Sequence, residues 1–95
     1  MPLPESVTDL SQVIGNNLRC ARSRLGLTQV ELAARTERLG FRISDHVISK
    51  IELGGKIITV YDLFVLSQAL HLPADCILRG EYNDENPANR RIVRP

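Results

Sequence analysis

The 95 residues, 43% hydrophobic and with a formal net charge of +1, suffice for one small domain with a single modest core and not for two. Two Tyr, two Phe and no Trp indicate a core of Leu, Ile, Val and Ala packed between helices, and argue against an all-β sandwich, which draws on aromatics and frequent turn signals. No apolar run approaches the roughly 18 residues of a membrane span, and the start MPLPESVTDL lacks the basic and apolar regions of a signal peptide, so a soluble cytoplasmic protein is expected.

Residues 1–7 show no apolar period and read as a loose leading segment. Leu10, Ile14, Leu18, Ala21 and Leu25 then recur at steps of four and three, which places them on one stripe of a first helix, and Gly26 supplies the turn out of it. In Thr28-Gln29-Val30-Glu31 the hydroxyl can accept from the third amide while the glutamate reaches back, a capping box opening a second helix with Leu32, Ala33, Thr36 and Leu39 inward. Gly40 closes that helix.

Ser44 caps a third helix running to about Leu53, where Gly54-Gly55 prevents continuation. Thr59 and Asp62 form a weaker capping box for a fourth, with Leu63, Leu66, Ala69 and Leu70 buried; Pro73 starts a short fifth through Cys76, Ile77 and Leu78. The remainder, GEYNDENPANRRIVRP, is polar and without period, which predicts a flexible tail over 80–95 behind an all-α domain of five helices over 8–79.

Chemistry-bearing residues are sparse. Cys20 and Cys76 match no close-spaced ligand pattern, so buried free thiols are expected rather than a metal site. His46 and His71 are isolated, and no paired carboxylates, nucleophile with base, or glycine-rich phosphate loop is present, which argues against an enzyme and against any cofactor. Charge is distributed unevenly. Between Ile14 and Lys56 stand Arg19, Arg22, Arg24, Arg35, Arg38, Arg42, Lys50 and Lys56 against Glu31, Glu37, Asp45 and Glu52, a local net of +4 from eight bases and four acids. A phosphate-facing surface needs such a segment, and an ordinary solvated helix face explains it equally well.

The third helix carries more information. At about 100° per residue, Val47, Ile48 and Ile51 share one half of its circumference and Asp45, His46, Ser49 and Lys50 the other. One half can pack on the body while the other offers a row of hydrogen-bonding groups near the N-terminal end. A helix entering the major groove has this arrangement; many surface helices share it.

Leu18, Arg22, Gly26-Leu27-Thr28-Gln29, Glu31-Leu32-Ala33, then Ile48-Ser49-Lys50-Ile51-Glu52, Gly54, Leu63, Leu66, Ala69-Leu70 and Ile77-Leu78, in this order and spacing, resemble the Cro and phage-repressor (Xre) type of helix-turn-helix domain over about two thirds of the chain. The resemblance implies a five-helix, lambda-repressor-like fold in which helices two and three form a unit for double-stranded DNA. It implies a salt bridge between Arg22 and Glu52, phosphate binding at the start of helix two by Thr28 and Gln29, and base reading from Asp45, His46, Ser49 and Lys50. Lys50 can donate to guanine O6 or N7, Ser49 to several base edges or to phosphate, and His46 can donate or accept according to tautomer; Asp45 can accept from cytosine N4 or serve only the helix N-terminus. Arg42 and Lys56, flanking the helix, are placed for phosphate. For Arg19 and Arg38 a solvated surface role is the stronger reading.

The chain departs from the family in one respect. From Thr28 to Glu52 it spends 25 residues against about 20 in the family pattern. The addition falls within 36–43, lengthening helix two through Leu39 and the loop Gly40-Phe41-Arg42-Ile43, with Phe41 and Ile43 expected to plug into the core. The expected function is a sequence-specific transcriptional regulator, a repressor acting as a homodimer on a palindromic site, with Ile77 and Leu78 as candidate dimer contacts. The competing expectation is a protein-interaction module of the same fold, such as an antitoxin or co-regulator.

Overall fold

The computed structural model describes residues 5–80, and these form five helices: α1 (Val7–Arg24), α2 (Gln29–Arg38), α3 (Asp45–Glu52), α4 (Val60–Leu70) and α5 (Ala74–Arg79). Among the described residues there is no strand, so the architecture is all-α. No described helix is long and apolar enough to cross a membrane. The basic tail residues Arg90, Arg91 and Arg94 lie outside the described residues.

Local chemistry sets the helix boundaries. Ser6 caps α1 by accepting from the Asp9 amide at 3.1 Å, so the first helix begins at Val7, within the leading segment expected to be loose. Both capping boxes form: Thr28 Oγ1 accepts from the Glu31 amide at 3.0 Å while Glu31 accepts from the Thr28 amide at 2.8 Å, and Thr59 pairs with Asp62 in the same way. Ser44 Oγ accepts from the Val47 amide to open α3. At the far end of α3 the Gly55 amide donates back to the Lys50 carbonyl at 2.9 Å, which requires Gly54 to take a φ of +77.

The core is assembled from Ile14, Leu18 and Ala21 of α1, Leu32 of α2, Ile48 and Ile51 of α3, Val65, Leu66, Ala69 and Leu70 of α4, and Cys76 and Ile77 of α5. Helix α1 packs on α3 and α5, and α2 packs on α3 and α4, so α3 is gripped from two sides.

Several expectations shift. Leu10 and Leu25 are exposed at the two ends of the α1 stripe, because the neighbouring helices cover only its middle. Cys76 is buried but Cys20 is exposed, since at about 100° per residue it points away from Leu18 and Ala21. Leu39 is the α2 C-cap and is exposed.

The long connection is closed by a residue that sequence reading treated only as part of a stripe. Thr36 is fully buried; its Oγ1 accepts from the Ile43 amide at 2.9 Å and lies 2.7 Å from the Ala33 carbonyl and 3.2 Å from the Ile43 carbonyl, to which it can donate. The Phe41 amide donates to the Thr36 carbonyl at 3.2 Å. Ile43 is buried as expected, whereas Phe41 is 52% exposed and sets its ring edge-on against Tyr61, centroids 6.3 Å apart. With Thr36 drawing Ile43 inward, Phe41 is left on the outer side of the turn.

Candidate nucleic-acid interface

The site begins with how α3 is fastened. Val47 is half-buried and Ile48 and Ile51 are buried, while Asp45, His46 and Lys50 are exposed and Ser49 is partly so. The predicted division of the helix into two halves is present. Among the described residues the four polar side chains make no hydrogen bond or ion pair, so their donors and acceptors face solvent uncommitted.

Behind this face lies a charged hub. Glu52 accepts from Arg22 Nε at 2.7 Å and from Arg22 Nη2 at 2.8 Å, a bidentate pair, and its Oε1 also accepts from Gln29 Nε2 at 3.0 Å. Arg22 Nη1 donates to the Leu27 carbonyl at 2.7 Å. One carboxylate therefore joins α1, α2 and α3, and it is almost wholly withdrawn from water. The hydrogen bond to Glu52, followed by their mutual attraction and working against burial, raises the Arg22 pKa above its ordinary value. The Arg22–Glu52 bridge is thus present as the resemblance implies.

Gln29 and Thr28 are placed differently from the expectation. The Gln29 amide is directed back to Glu52, leaving one of its two hydrogens for other partners, and the Thr28 amide is taken by Glu31. Hydrogen bonds from Thr28 hold the exposed Glu31 carboxyl below its usual range, so an anion sits at the α2 N-terminus where a phosphate was expected.

The flanking bases also divide. Lys56 Nζ lies 2.6 Å from Asp62 Oδ2 and 3.3 Å from the Ile57 carbonyl, so its ammonium ties the α3–α4 loop to the start of α4 rather than projecting freely. Burial pushes the Asp62 carboxyl up, but the hydrogen bonds from Lys56 and Thr59 outweigh it and hold the group below its ordinary value. Arg42 is 71% exposed in its side chain and only loosely paired with Glu37 at 3.5 Å, which leaves it available to an anion. Arg42, Ser44, Lys56 and Tyr61 border an open hollow beside the α3 N-terminus. Tyr61 reaches this edge without any signal in its spacing to mark it.

Of the two candidate dimer residues, Ile77 is completely buried within its own chain and cannot meet a partner; Leu78 alone reaches the surface. Among the described residues no three His, Cys, Asp or Glu side chains come together as a metal site requires. In comparisons with known proteins, no family model and no curated protein matches the chain.

Proposed function

We propose that this chain is a lambda-repressor-like (Xre-type) helix-turn-helix regulator that places α3 in the major groove of double-stranded DNA, as a repressor binding a palindromic site with two copies. The observation that carries the reading is the uncommitted row Asp45, His46, Ser49 and Lys50 on a helix whose opposite side is locked into the core. Base edges are read by groups free to hydrogen bond and held in a fixed register. The Arg22–Glu52–Gln29 hub supports it by fixing the angle between α2 and α3. On this reading Arg42 contacts backbone phosphate, Lys50 and Ser49 read bases, and Lys56 orders the loop behind them. No catalytic step is assigned to the chain.

The test is selection from random duplexes, followed by binding of the enriched sequence at two salt concentrations. The expected result is a site with two related halves about 34 Å apart and an affinity that falls with salt. No enrichment over random duplex would exclude the reading and leave the protein-interaction module.

A further inference from the structure

Helix α4 has almost no polar side. Its only charged residue, Asp62, is buried and engaged by Lys56 and Thr59. At about 100° per residue, Val60, Phe64, Gln68 and Tyr61 fall within one arc of about 100°, which Val65 borders and which lies on the side away from Leu66, Ala69 and Leu70. All four are exposed, Val60 by 84% and Phe64 by 60%. A helix apolar on nearly every side is normally covered on every side.

The patch continues beyond the helix. Leu39 and Phe41 of the α2–α3 connection adjoin Phe64, and together with Val65 and Gln68 they line a groove of about 170 Å³. That is smaller than the roughly 300 Å³ at which small-molecule sites begin, and it suits a single inserted side chain. Leu39, Phe41, Val60, Tyr61 and Phe64, each about half exposed or more, present on the order of 500 Å² of apolar side chain. This lies at the upper end of what monomers leave uncovered and, with a polar rim, approaches the roughly 600–800 Å² per partner of a stable interface.

We infer that this face, centred on Phe64, is where two copies of the chain pair. A second copy fits because the arc on α4 itself bears no exposed charge, and the exposed cations Arg38 and Arg42 stand at the rim of the face beside Leu39 and Phe41. A two-fold axis through Phe64 and perpendicular to α4 would set the two α4 helices antiparallel, with Val60 of each opposite Gln68 of the other and the helix dipoles opposed. None of Asp45, His46, Ser49 or Lys50 belongs to the face. This inference rests on the proposed pairing of regulators for its purpose, while its test is read without DNA.

The experiment is sedimentation equilibrium of the full chain, free of nucleic acid, from micromolar to near-millimolar concentration. The expected result is a monomer–dimer equilibrium that Phe64→Glu weakens at least tenfold and that Val30→Glu, on an exposed apolar residue of α2, leaves unchanged. Val60→Glu, at a side chain with no part in the core, must weaken it as well, which covers the case of a Phe64 variant that folds poorly. A monomer at every concentration, or a dimer indifferent to Val60→Glu, would overturn the assignment. A dimer that selects no duplex would instead sink the DNA reading and leave this one standing.

Discussion

Gly15 of α1 lies directly against the Ile51 carbonyl of α3: a Cβ at position 15 would fall on that oxygen and come within 3.0 Å of the Glu52 carbonyl. The obstacle is backbone at both contacts, so no side-chain rotation relieves it. Gly15→Ala gains about 1 kcal/mol of helix propensity and forfeits more through overpacking, about 1 to 3 kcal/mol and toward the upper end for rigid backbone. The expected outcome is a lower melting temperature, by about 4 to 8 °C per kcal/mol of net loss, and, on the DNA reading, weaker duplex binding as α3 is displaced. A variant that melts at or above the wild-type temperature would show that the two helices do not cross this closely.

The Arg22–Glu52–Gln29 hub predicts a graded series. Arg22→Ala strands a carboxylate withdrawn from water and should cost on the order of 3 kcal/mol. Gln29→Ala removes one hydrogen bond to a charged group and should cost about 1.5 to 3 kcal/mol. Chemical denaturation of both variants provides the measurement. If Gln29→Ala were stable as wild type but shallower in its salt dependence for DNA, the amide would belong to a phosphate rather than to Glu52.

The fate of Thr36 shows where sequence reasoning stops. The starts of α2, α3 and α4 were legible because caps are local, Thr28 with Glu31, Ser44, and Thr59 with Asp62 each acting within four residues, whereas the equally local Ser6 cap of α1 was passed over. The two-sided character of α3 was legible from periodicity alone. Contacts that depend on how helices cross were not, including Gly15 beneath Ile51, Lys56 against Asp62, and the outward turn of Phe41. Thr36→Val tests the last of these. Valine keeps the shape but leaves the buried Ile43 amide without an acceptor, at about 1 to 3 kcal/mol; a neutral effect on the denaturation midpoint would mean that the connection is held by other contacts.

Acid should loosen the same framework. Asp62 and Glu31 both have folded pKa values below their ordinary ones. As pH falls, the unfolded carboxyls bind protons first, and stability present above the ordinary carboxylate range of about 4 is lost on the way down to the folded values. Asp62→Asn should be less stable than wild type at neutral pH and show a shallower loss between about pH 5 and 2. Parallel acid-limb slopes for the two proteins would mean that Asp62 is not the responsible group.

Lys50 and Lys56, six positions apart, should respond to truncation in opposite ways. Lys50 is exposed and without a described partner, so Lys50→Ala should leave the melting temperature unchanged and, on the DNA reading, relax discrimination at one base pair by about 1 to 3 kcal/mol. Lys56 is committed to Asp62, whose carboxylate is left buried when the ammonium is removed. Lys56→Ala should therefore lower stability by about 1 to 3 kcal/mol while changing the salt slope little, because the ammonium is already paired with Asp62. Arg42→Ala should supply the missing electrostatic signature, weakening all sequences alike and reducing that slope by about one. Thermal melts beside salt titrations separate the three. A salt slope altered by Lys56→Ala at unchanged stability would return Lys56 to the DNA backbone and mean that its pairing with Asp62 gives way on binding.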